Sequence, residues 1–252
     1  RDEDCACHHV MVRGDDARLY AVLSAEDMVR ALCRPEMLDH LTLHKGKEVS
    51  AQFGPADRTV QDVMKVRDTV FTCPPSNTMR EVLKVLLLTQ QNSALIVDEQ
   101  GIYGIVTPRD AVRAFYNGVP SSICIGDWLN QQPGSLDDKI IQADTCLMDA
   151  AAHMSARDLD HLIVVHPGTM LAVGVLSSLD LVLSTKAASP ILRSKPLWSG
   201  PRVGELLGQD WHHTATCDRK SHLCEVARQL AASGGTSASV LGDADSPPLA
   251  LI

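Results

Sequence analysis

The sequence lacks the long apolar runs that a membrane-spanning helix needs. None of its apolar stretches approaches the roughly 18 to 20 consecutive residues of such a helix. It also lacks a basic stripe, because the formal net charge is -8, the pI is near 5.6, and Lys and Arg residues stand singly among acids. Such a surface does not attract a phosphate backbone. We therefore expect a soluble chain that binds neither a membrane nor nucleic acid.

The sequence motifs of common catalytic and phosphate-binding loops are absent as well. There is no G-x-S-x-G elbow for a nucleophile, and no G-x-x-x-x-G-K-[ST] or G-x-G-x-x-G loop. Cys5-Ala-Cys7-His8-His9 contains zinc-type ligands, but a closed zinc site needs four converging groups and no second such pair follows. We expect no catalysis by this chain alone, no required cofactor and no metal site.

The eight cysteines are spread from Cys5 to Cys224 in a chain that is too large to need disulfide staples. Free cysteines pack as small apolar residues, so we expect a reducing compartment and a cytoplasmic protein. The start, Arg1-Asp2-Glu3-Asp4, has neither an initiator Met nor the pattern of a signal peptide. We therefore expect the chain to be an internal piece of a longer protein.

A repeat emerges when the sequence is aligned with itself. Residues 72–82 align without a gap with residues 140–150 and with residues 216–226, at offsets of 68 (140 minus 72) and 144 (216 minus 72). In each copy a polar or Pro-containing turn precedes apolar residues at helical spacing, which predicts an amphipathic helix. The equivalent apolar positions are Met79, Val82, Leu83 and Leu86; Leu147, Ala150, Ala151 and Met154; and Leu223, Val226, Ala227 and Leu230.

An apolar run of strand length follows each predicted helix. In the first of these copies it is Ala94-Leu-Ile-Val97, and it ends in the turn-forming Asp98-Glu-Gln-Gly101. The returning strand then leads into a second helix through Gly104-Ile-Val-Thr-Pro-Arg-Asp110, and Gly174-Val-Leu-Ser-Ser-Leu-Asp180 repeats that phrase. Ala21-Val-Leu-Ser-Ala-Glu-Asp27 repeats it near the start, with alanine in place of glycine. The sequence thus predicts tandem β-α-β-β-α units.

A short segment of the pattern apolar-x-acid-apolar-apolar precedes each unit. We call Val60–Met64, Ile125–Leu129 and Val203–Leu207 the lead-in segments. They set the predicted boundaries of four units: the back half of a first unit at 1–33, a second unit at 57–118, a third at 123–187 and the front part of a fourth at 202–252. Linkers are predicted at 34–56 and at 188–201. Only residues 118–122 separate the second and third units, so we expect these two to be closely coupled.

This order of elements, with the lead-in V-x-D-V-M, the helix start T-x-x-P-x-x-T-x-x-E-V and the closing G-h-h-T-x-x-D, resembles the CBS domain, named after cystathionine beta-synthase. Residues 57–187 look like two complete CBS motifs paired as a Bateman module, and the two ends look like parts of two more. The resemblance implies an α/β fold in which paired motifs pack their sheets together about a pseudo-two-fold axis. It also implies two clefts that often hold AMP, ADP, ATP or S-adenosylmethionine.

The resemblance assigns ligand-binding roles to the closing motif and to the first strand of each unit. It gives a ribose-binding role to Asp110 and Asp180, and a phosphate or ribose role to Thr107 and Ser177. Thr72 and Ile140 would border the base. Ser24 and Asp27 are the matching pair near the start. A helix N-terminus supports this chemistry, since its free N–H groups attract phosphate and a carboxylate can accept both hydrogens of a ribose diol.

A structural explanation fits the same residues equally well. A hydroxyl followed three residues later by an acid is a capping box, which satisfies the first N–H groups of a helix without any ligand. His161 opens a strand and is a further candidate contact for a nucleotide, although a histidine there is commonly a packed structural residue. Departures from the pattern, such as Ile140 in place of a hydroxyl, make us expect unequal sites, with the Thr107 and Asp110 site as the best candidate.

Two functional hypotheses remain at this stage. The first is a regulatory module that binds an adenosine nucleotide and biases an attached enzyme or transporter, or acts as a homodimer. The second is a ligand-free CBS scaffold that mediates dimerisation or holds a protein partner, with the hydroxyl and acid pairs serving only as helix caps. A ligand-dependent change in melting temperature distinguishes the two.

Overall fold

A computed structural model describes residues 9–13, 19–33, 58–187, 215–218, 220–233, 237–241 and 250–251. The linkers predicted at 34–56 and 188–201 and the lead-in segment Val203–Leu207 lie outside the described residues. So do Cys5, Cys7 and His8. The chain divides into two compact units, one comprising Arg1–Ala25, Pro108–Pro120 and Leu207–Ile252, and the other comprising Glu26–Thr107 and Ser121–Leu206.

The elements follow the predicted order of strands and helices. The first motif contributes β1 (His9–Arg13), β2 (Leu19–Ser24) and α1 (Ala25–Leu32). The second contributes β3 (Lys65–Val66), β4 (Phe71–Cys73), α2 (Met79–Thr89), β5 (Ala94–Asp98), β6 (Gly101–Val106) and α3 (Pro108–Tyr116).

The third motif contributes α4 (Ile125–Asn130), β7 (Ile140–Gln142), α5 (Leu147–Arg157), β8 (His161–Val165), β9 (Ala172–Ser177) and α6 (Ser178–Ala187). The fourth contributes β10 (Ala215–Asp218), α7 (Leu223–Ser233), β11 (Ala238–Leu241) and β12 (Ala250–Leu251). The described strands form sheets of order β1-β2, β4-β5-β6, β3-β9-β8-β7 and β10-β11-β12.

Three of these sheets share one topology and one register. In each, the first strand pairs in parallel with the second, and the second pairs antiparallel with the third. The aligned Cα triplets across the three sheets are Thr72, Leu95 and Ile105; Ile140, Ile163 and Val175; and Thr216, Ser239 and Leu251. The first two members of each triplet differ by the offsets of 68 and 144 found in the sequence. The predicted repeat of β-α-β-β-α units is therefore confirmed.

The sheets of the second and third motifs pack face to face. Leu95 and Ile105 form a buried cluster with Ile163 and Val175, and each of the four is at most 4% exposed. These side chains alternate along their strands with residues that face the helices, as a two-layer arrangement requires. The close coupling of the second and third motifs is thus confirmed, and the apolar sheet faces supply its physical cause.

The other face of the third motif's sheet is covered by helices. Leu147 and Met154 of α5, together with Leu181 of α6, pack there, and each of the three is at most 1% exposed. Val29 of α1 joins the same cluster and is 2% exposed. Arg30 adds ion pairs to Glu26 at 2.9 Å and to Asp158. A helix of the first motif is therefore part of the third motif's core.

The lead-in segments are exchanged between the second and third motifs. Val60 donates its backbone N–H to the Thr145 carbonyl at 2.9 Å, and Leu147 donates to the Arg58 carbonyl at 3.3 Å. The lead-in of the second motif thus binds at the helix start of the third. Because Val60 is 0% exposed and lies in the cluster with Leu147, its side chain also completes the third motif's core.

The reciprocal contact has the same hydrogen bonds. Ile125 donates its N–H to the Asn77 carbonyl at 2.8 Å, and Met79 donates to the Ile123 carbonyl at 3.0 Å. Asn77 and Met79 precede Thr145 and Leu147 by 68 residues, so the two contacts are related by the repeat. Gly126 also donates to Pro75 at 2.9 Å. Each motif therefore supplies the segment that covers its partner's helix start.

Candidate functional site

The junction between β9 and α6 is built by Ser177 and Asp180. Asp180 Oδ2 accepts a hydrogen bond from the Ser177 backbone N–H at 2.9 Å and another from Ser177 Oγ at 2.5 Å. The Asp180 N–H in turn donates to Ser177 Oγ at 3.2 Å. This is a complete capping box, which fixes the point at which the strand becomes a helix. Ser177 is 7% exposed, so its hydroxyl is held in place by packing as well.

His161 lies beside this junction. It begins β8, and its Cα is the direct antiparallel partner of Ser177 in β9. Its side chain is 11% exposed, and Nδ1 is 3.2 Å from Asp160 Oδ1 but lacks the alignment of a hydrogen bond. The buried ring nitrogen of His161 thus stands beside the carboxylate of the preceding residue. His161, Ser177 and Asp180 therefore form one polar cluster at the end of the sheet, which we call the 161/177/180 cluster.

The two residues expected to border a base occupy equivalent places in their sheets. Thr72 is the middle residue of β4 and pairs with Leu95, whereas Ile140 begins β7 and pairs with Ile163. Both side chains are half-buried. Ile140 packs against the apolar cluster between the two sheets, so its side chain already has a structural role.

The residues of the second motif's junction fall in different compact units. Thr107 follows β6 and is 5% exposed. Asp110 lies in the first turn of α3, and its Oδ1 is 3.8 Å from Arg113 Nη1. Arg113 lies one turn further along the same helix, at the i,i+3 spacing that favours an ion pair. The binding roles of Thr107 and Asp110 stay predictions.

The matching pair near the start shows a further ionic contact. Ser24 ends β2, and Asp27 lies in the first turn of α1. Arg30 Nη1 is 3.6 Å from Asp27 Oδ1. Arg30 also forms ion pairs with Glu26 and with Asp158, and so links α1 to the third motif. A ligand at Asp27 would therefore have to share the Asp27 carboxylate with the Arg30 guanidinium. The ligand role of Ser24 and Asp27 likewise stays a prediction.

The glycines of the closing phrase have a packing role that the sequence did not reveal. A Cβ at Gly104 would lie 3.1 Å from Leu129 Cδ1, and a Cβ at Gly174 would collide with the Lys65 carbonyl oxygen and lie 2.9 Å from Met64 Sδ. Met64 and Leu129 are equivalent residues of two lead-in segments. The glycines thus make room for the exchanged lead-ins, which explains their place in the motif without a ligand.

Neither a metal cluster nor a membrane span is found in the part of the chain that the structure describes. No group of three or more His, Cys, Asp or Glu side chains is placed there to hold a metal ion. None of the helices among those residues is both long and apolar enough to cross a bilayer. Of the zinc-type ligands noted in the sequence, only His9 is described, and it begins β1.

Comparison with known proteins relates one motif of the chain to a known domain. A sequence model of the CBS domain matches residues 60–117. No curated protein matches the chain. Among solved structures, a protein of Methanocaldococcus jannaschii described as a candidate archaeal homolog of g-AMPK is 17% identical, with a TM-score of 0.51 over 73% of this chain and 60% of that one. This chain therefore spans less than two thirds of that protein and shares its fold.

Two further similar structures are complexes with adenosine-containing ligands. The CBS domain pair of protein MJ0100, in complex with 5'-methylthioadenosine and S-adenosyl-L-methionine, is 20% identical, with a TM-score of 0.44 over 52% of this chain and 98% of that one. CBSX2 in complex with AMP is 20% identical, with a TM-score of 0.42 over 51% of this chain and 96% of that one. Residues 60–117, the second motif, therefore match the CBS domain, and the third motif shares its strand register and packs its sheet face to face with it.

Proposed function

We propose that this chain is a regulatory module that senses an adenosine-containing ligand, of the class of AMP, ADP, ATP or S-adenosylmethionine. The observation that carries the proposal is the 161/177/180 cluster, in which the hydroxyl and carboxylate of one capping box stand at the N-terminus of α6 and His161 is the cross-strand partner of Ser177. CBS pairs act as regulatory units, and in the proposed role the chain performs no chemistry of its own.

The capping box leaves an atom for a ligand. In the described part of the chain, both hydrogen bonds that the Asp180 carboxylate accepts go to Oδ2. Oδ1 is the oxygen that would accept a hydroxyl of a ribose. The cap then holds the carboxylate in a fixed orientation, and binding would not require the cap to open. A preorganised acceptor of this kind lowers the entropic cost of binding.

The histidine and the helix start provide the complementary groups. His161 Nδ1, which lies 3.2 Å from Asp160 Oδ1, can form a hydrogen bond with a phosphate or base. The N-terminus of α6 carries the partial positive charge of the helix dipole and favours an anionic phosphate. In this proposal Ile140 borders the base at the same site. By the sequence repeat, Thr72, Thr107 and Asp110 are the equivalent residues of the second motif, and Ser24 and Asp27 are those of the first.

Regulation would follow from the way in which the two motifs are joined. They share an apolar interface and exchange lead-in segments, so a ligand that prefers one packing of the sheets shifts the whole pair. Such a ligand would change the state of an attached enzyme or transporter, or of a homodimer partner. The size of the change is set by the difference in the ligand's affinity for the two packings, commonly a coupling free energy of about 1 to 3 kcal/mol. The free cysteines Cys33, Cys73, Cys124, Cys146, Cys217 and Cys224 support a cytoplasmic setting for this activity.

Calorimetric titration with AMP, ADP, ATP and S-adenosylmethionine tests the proposal. At least one of the four is expected to bind, and Asp180→Asn is expected to weaken it about tenfold or more, since a hydrogen bond to a charged group contributes about 1.5 to 3 kcal/mol. Asp62→Asn is the matched control, because Asp62 caps Thr59 with the same chemistry away from the cluster. Absence of binding at millimolar concentrations of all four, with a folded protein, would refute the proposal.

The completeness of the capping box favours one alternative function. If Ser177 and Asp180 serve only to start α6, the chain is a ligand-free scaffold for dimerisation or for a protein partner. In that case Asp180→Ala lowers the free energy of unfolding by about 1 kcal/mol, the usual cost of a lost cap. No nucleotide would then raise the melting temperature of either the wild-type protein or the variant.

A further inference from the structure

An exposed arginine and an exposed serine meet at the start of α2. Arg80 donates a hydrogen bond from Nε to Ser121 Oγ at 3.2 Å and a second from Nη2 to the same oxygen at 3.0 Å. Their backbones are joined as well, because the Arg80 N–H donates to the Ser121 carbonyl at 2.9 Å. Both residues belong to the same compact unit, and both are exposed to solvent. The Ser121 hydroxyl is therefore fixed in position and accessible at the same time.

The guanidinium of Arg80 is a better match for an anion than for a hydroxyl. Nε and Nη2 form one edge of the guanidinium fork, whose two parallel N–H groups fit two oxygens of a carboxylate or a phosphate. In this chain both donate to a single neutral oxygen. Glu81 is the next residue of α2, but its carboxylate is bound by Thr78. Among the described residues, no carboxylate forms an ion pair with Arg80.

The pair of Arg80 and Ser121 is not part of the repeat. Met148 stands 68 residues after Arg80 (148 minus 80), at the equivalent place in α5. Ala56 is the sequence equivalent of Ser121, since each stands four residues before the first residue of its lead-in segment (60 minus 56 and 125 minus 121). The backbone hydrogen bonds of the two exchanged contacts are nevertheless the same. The pair is thus an addition to one contact, and the contact forms without it.

We propose that Ser121 is a phosphorylation site and that Arg80 binds the phosphate once it is attached. A protein kinase transfers the γ-phosphoryl group of ATP to Ser121 Oγ. The new bond between Oγ and phosphorus forms as the bond from that phosphorus to the bridging oxygen of ATP breaks. ADP leaves, and the hydroxyl proton passes to a base of the kinase.

The product matches the donors of Arg80. A phosphoserine carries about 1.5 to 2 negative charges at neutral pH and three strong acceptor oxygens. Nε and Nη2 can then each bind an oxygen of their own, because the exposed Arg80 side chain is free to draw back and admit the larger group. The charge of the guanidinium, which faces a neutral hydroxyl in the unmodified chain, is then paired with an anion.

The phosphate would strengthen one of the two exchanged contacts. In the unmodified chain, residues 121–125 are held at the start of α2 by backbone hydrogen bonds, such as those from Met79 to Ile123 and from Ile125 to Asn77. Charge-assisted hydrogen bonds are roughly twice as strong as neutral ones. Modification of Ser121 would therefore stabilise the contact at α2 and leave the one at α5 unchanged. A kinase would in this way act on the module independently of any nucleotide.

Thermal denaturation of the chain expressed with phosphoserine at position 121 tests the proposal. The modification is expected to raise the melting temperature by about 2 to 4 °C, a measurable shift for a protein of this size. Arg80→Gln is expected to abolish this increase while it changes the unmodified chain little, as is usual for an exposed position. Phosphoserine at position 122 is the matched control, because Ser122 is the adjacent exposed serine and no arginine of the described residues donates to it.

Phosphorus NMR of the two phosphorylated chains separates binding by Arg80 from a general effect of charge. The phosphate at position 121 is expected to lose its second proton at a lower pH than the phosphate at position 122, because the guanidinium stabilises the dianion. Arg80→Gln is expected to remove this difference. Equal titration of the two phosphates, or an increase in melting temperature that survives Arg80→Gln, would overturn the proposal.

Mass spectrometry of the protein isolated from the cells in which it naturally occurs tests whether the modification is made. Phosphate is expected on Ser121. A Ser121 that stays unmodified in every growth condition, or phosphate on Ser122 alone, would contradict its assignment as a phosphorylation site.

Discussion

Gly126 lies directly against Pro75, and its N–H donates to the Pro75 carbonyl at 2.9 Å. A Cβ at position 126 would lie 2.7 Å from Pro75 Cβ, so there is no room for a side chain. Only glycine fits this approach of one motif's lead-in to its partner. Gln61 occupies the equivalent lead-in position, donates to Ala143 at 2.9 Å, and points its side chain to solvent. The two exchanged contacts therefore share their hydrogen bonds but differ in the space around them.

Gly126→Ala is expected to lower the free energy of unfolding by about 1 to 3 kcal/mol, the usual cost of forcing an atom into a packed contact. Urea denaturation measures this change. Gln61→Ala is the matched control and should alter the free energy of unfolding by less than about 0.5 kcal/mol, as is normal for an exposed position. Equal effects of the two substitutions would show that the close approach of Gly126 to Pro75 does not matter.

The two equivalent leucines at helix starts should respond very differently to truncation. Leu147→Ala removes a side chain that is 1% exposed and should cost about 2 to 5 kcal/mol of the free energy of unfolding. Leu223→Ala removes one that is 73% exposed and should change stability by less than about 0.5 kcal/mol. Denaturation of the full chain compares them. A large loss for Leu223→Ala would mean that it is already covered.

The sequence predicts the repeat but not the exchange of lead-ins. Offsets of 68 and 144 residues, together with strand-length apolar runs such as Ala94–Val97, were enough to predict the repeated β-α-β-β-α units. The exchanged contacts rest on backbone groups of Asn77 and Thr145, which carry no side-chain signal, so the sequence could not indicate which motif each lead-in covers. Helical periodicity likewise aligned Leu223 with Met79 and Leu147, which are buried, although in the structure Leu223 is 73% exposed.

The candidate site was foreseen in part. The Ser177 and Asp180 pair was expected to be either a cap or a ligand site, and the structure shows the cap. Periodicity could not reveal that His161 stands in register with Ser177 or that its Nδ1 is buried without a hydrogen bond, because both depend on how β8 pairs with β9. Alanine stands at position 21, where the equivalent glycines of the second and third motifs contact lead-in segments.

The capping box of α2 should make stability depend on pH. Thr78 donates its N–H and Oγ to Glu81 Oε2 at 2.8 and 2.9 Å, and these bonds hold the pKa of Glu81 below its usual value. The stabilisation is therefore present above the unfolded-state pKa, about 4.3, and is lost as the pH falls through the lower folded-state pKa. Glu81→Gln should be less stable than the wild type at pH 7, with the difference shrinking under acid conditions.

Denaturation of both proteins between about pH 7 and pH 3 measures this difference. Glu99→Gln is the control, since Glu99 lies in the exposed turn between β5 and β6. A difference between wild type and Glu81→Gln that stays constant across this range would show that the capping carboxylate does not titrate as described.

Cys73 should be far less reactive than Cys224. Burial, and secondarily the charge of Glu81, raise the pKa of the Cys73 thiol to about 11, whereas Cys224 is exposed. At pH 8 a thiol with that pKa is ionised in about one molecule in a thousand, and the thiolate is the reactive form. Mass-spectrometric mapping of iodoacetamide labelling should find Cys224 modified first and Cys73 only after unfolding. Rapid labelling of Cys73 in the folded chain would contradict its burial.

The most direct test of the proposed function is an NMR titration of the isotopically labelled chain with AMP, ATP and S-adenosylmethionine. We expect saturable shifts of the Ser177 and Asp180 amides and of the His161 ring for at least one ligand, because these groups form the proposed site. The amides of the Thr59 and Asp62 cap should shift less than these groups, since that cap lies outside the proposed site. Saturable shifts confined to other regions, or none at all with any of the three ligands, would contradict the assignment of nucleotide sensing to this cluster.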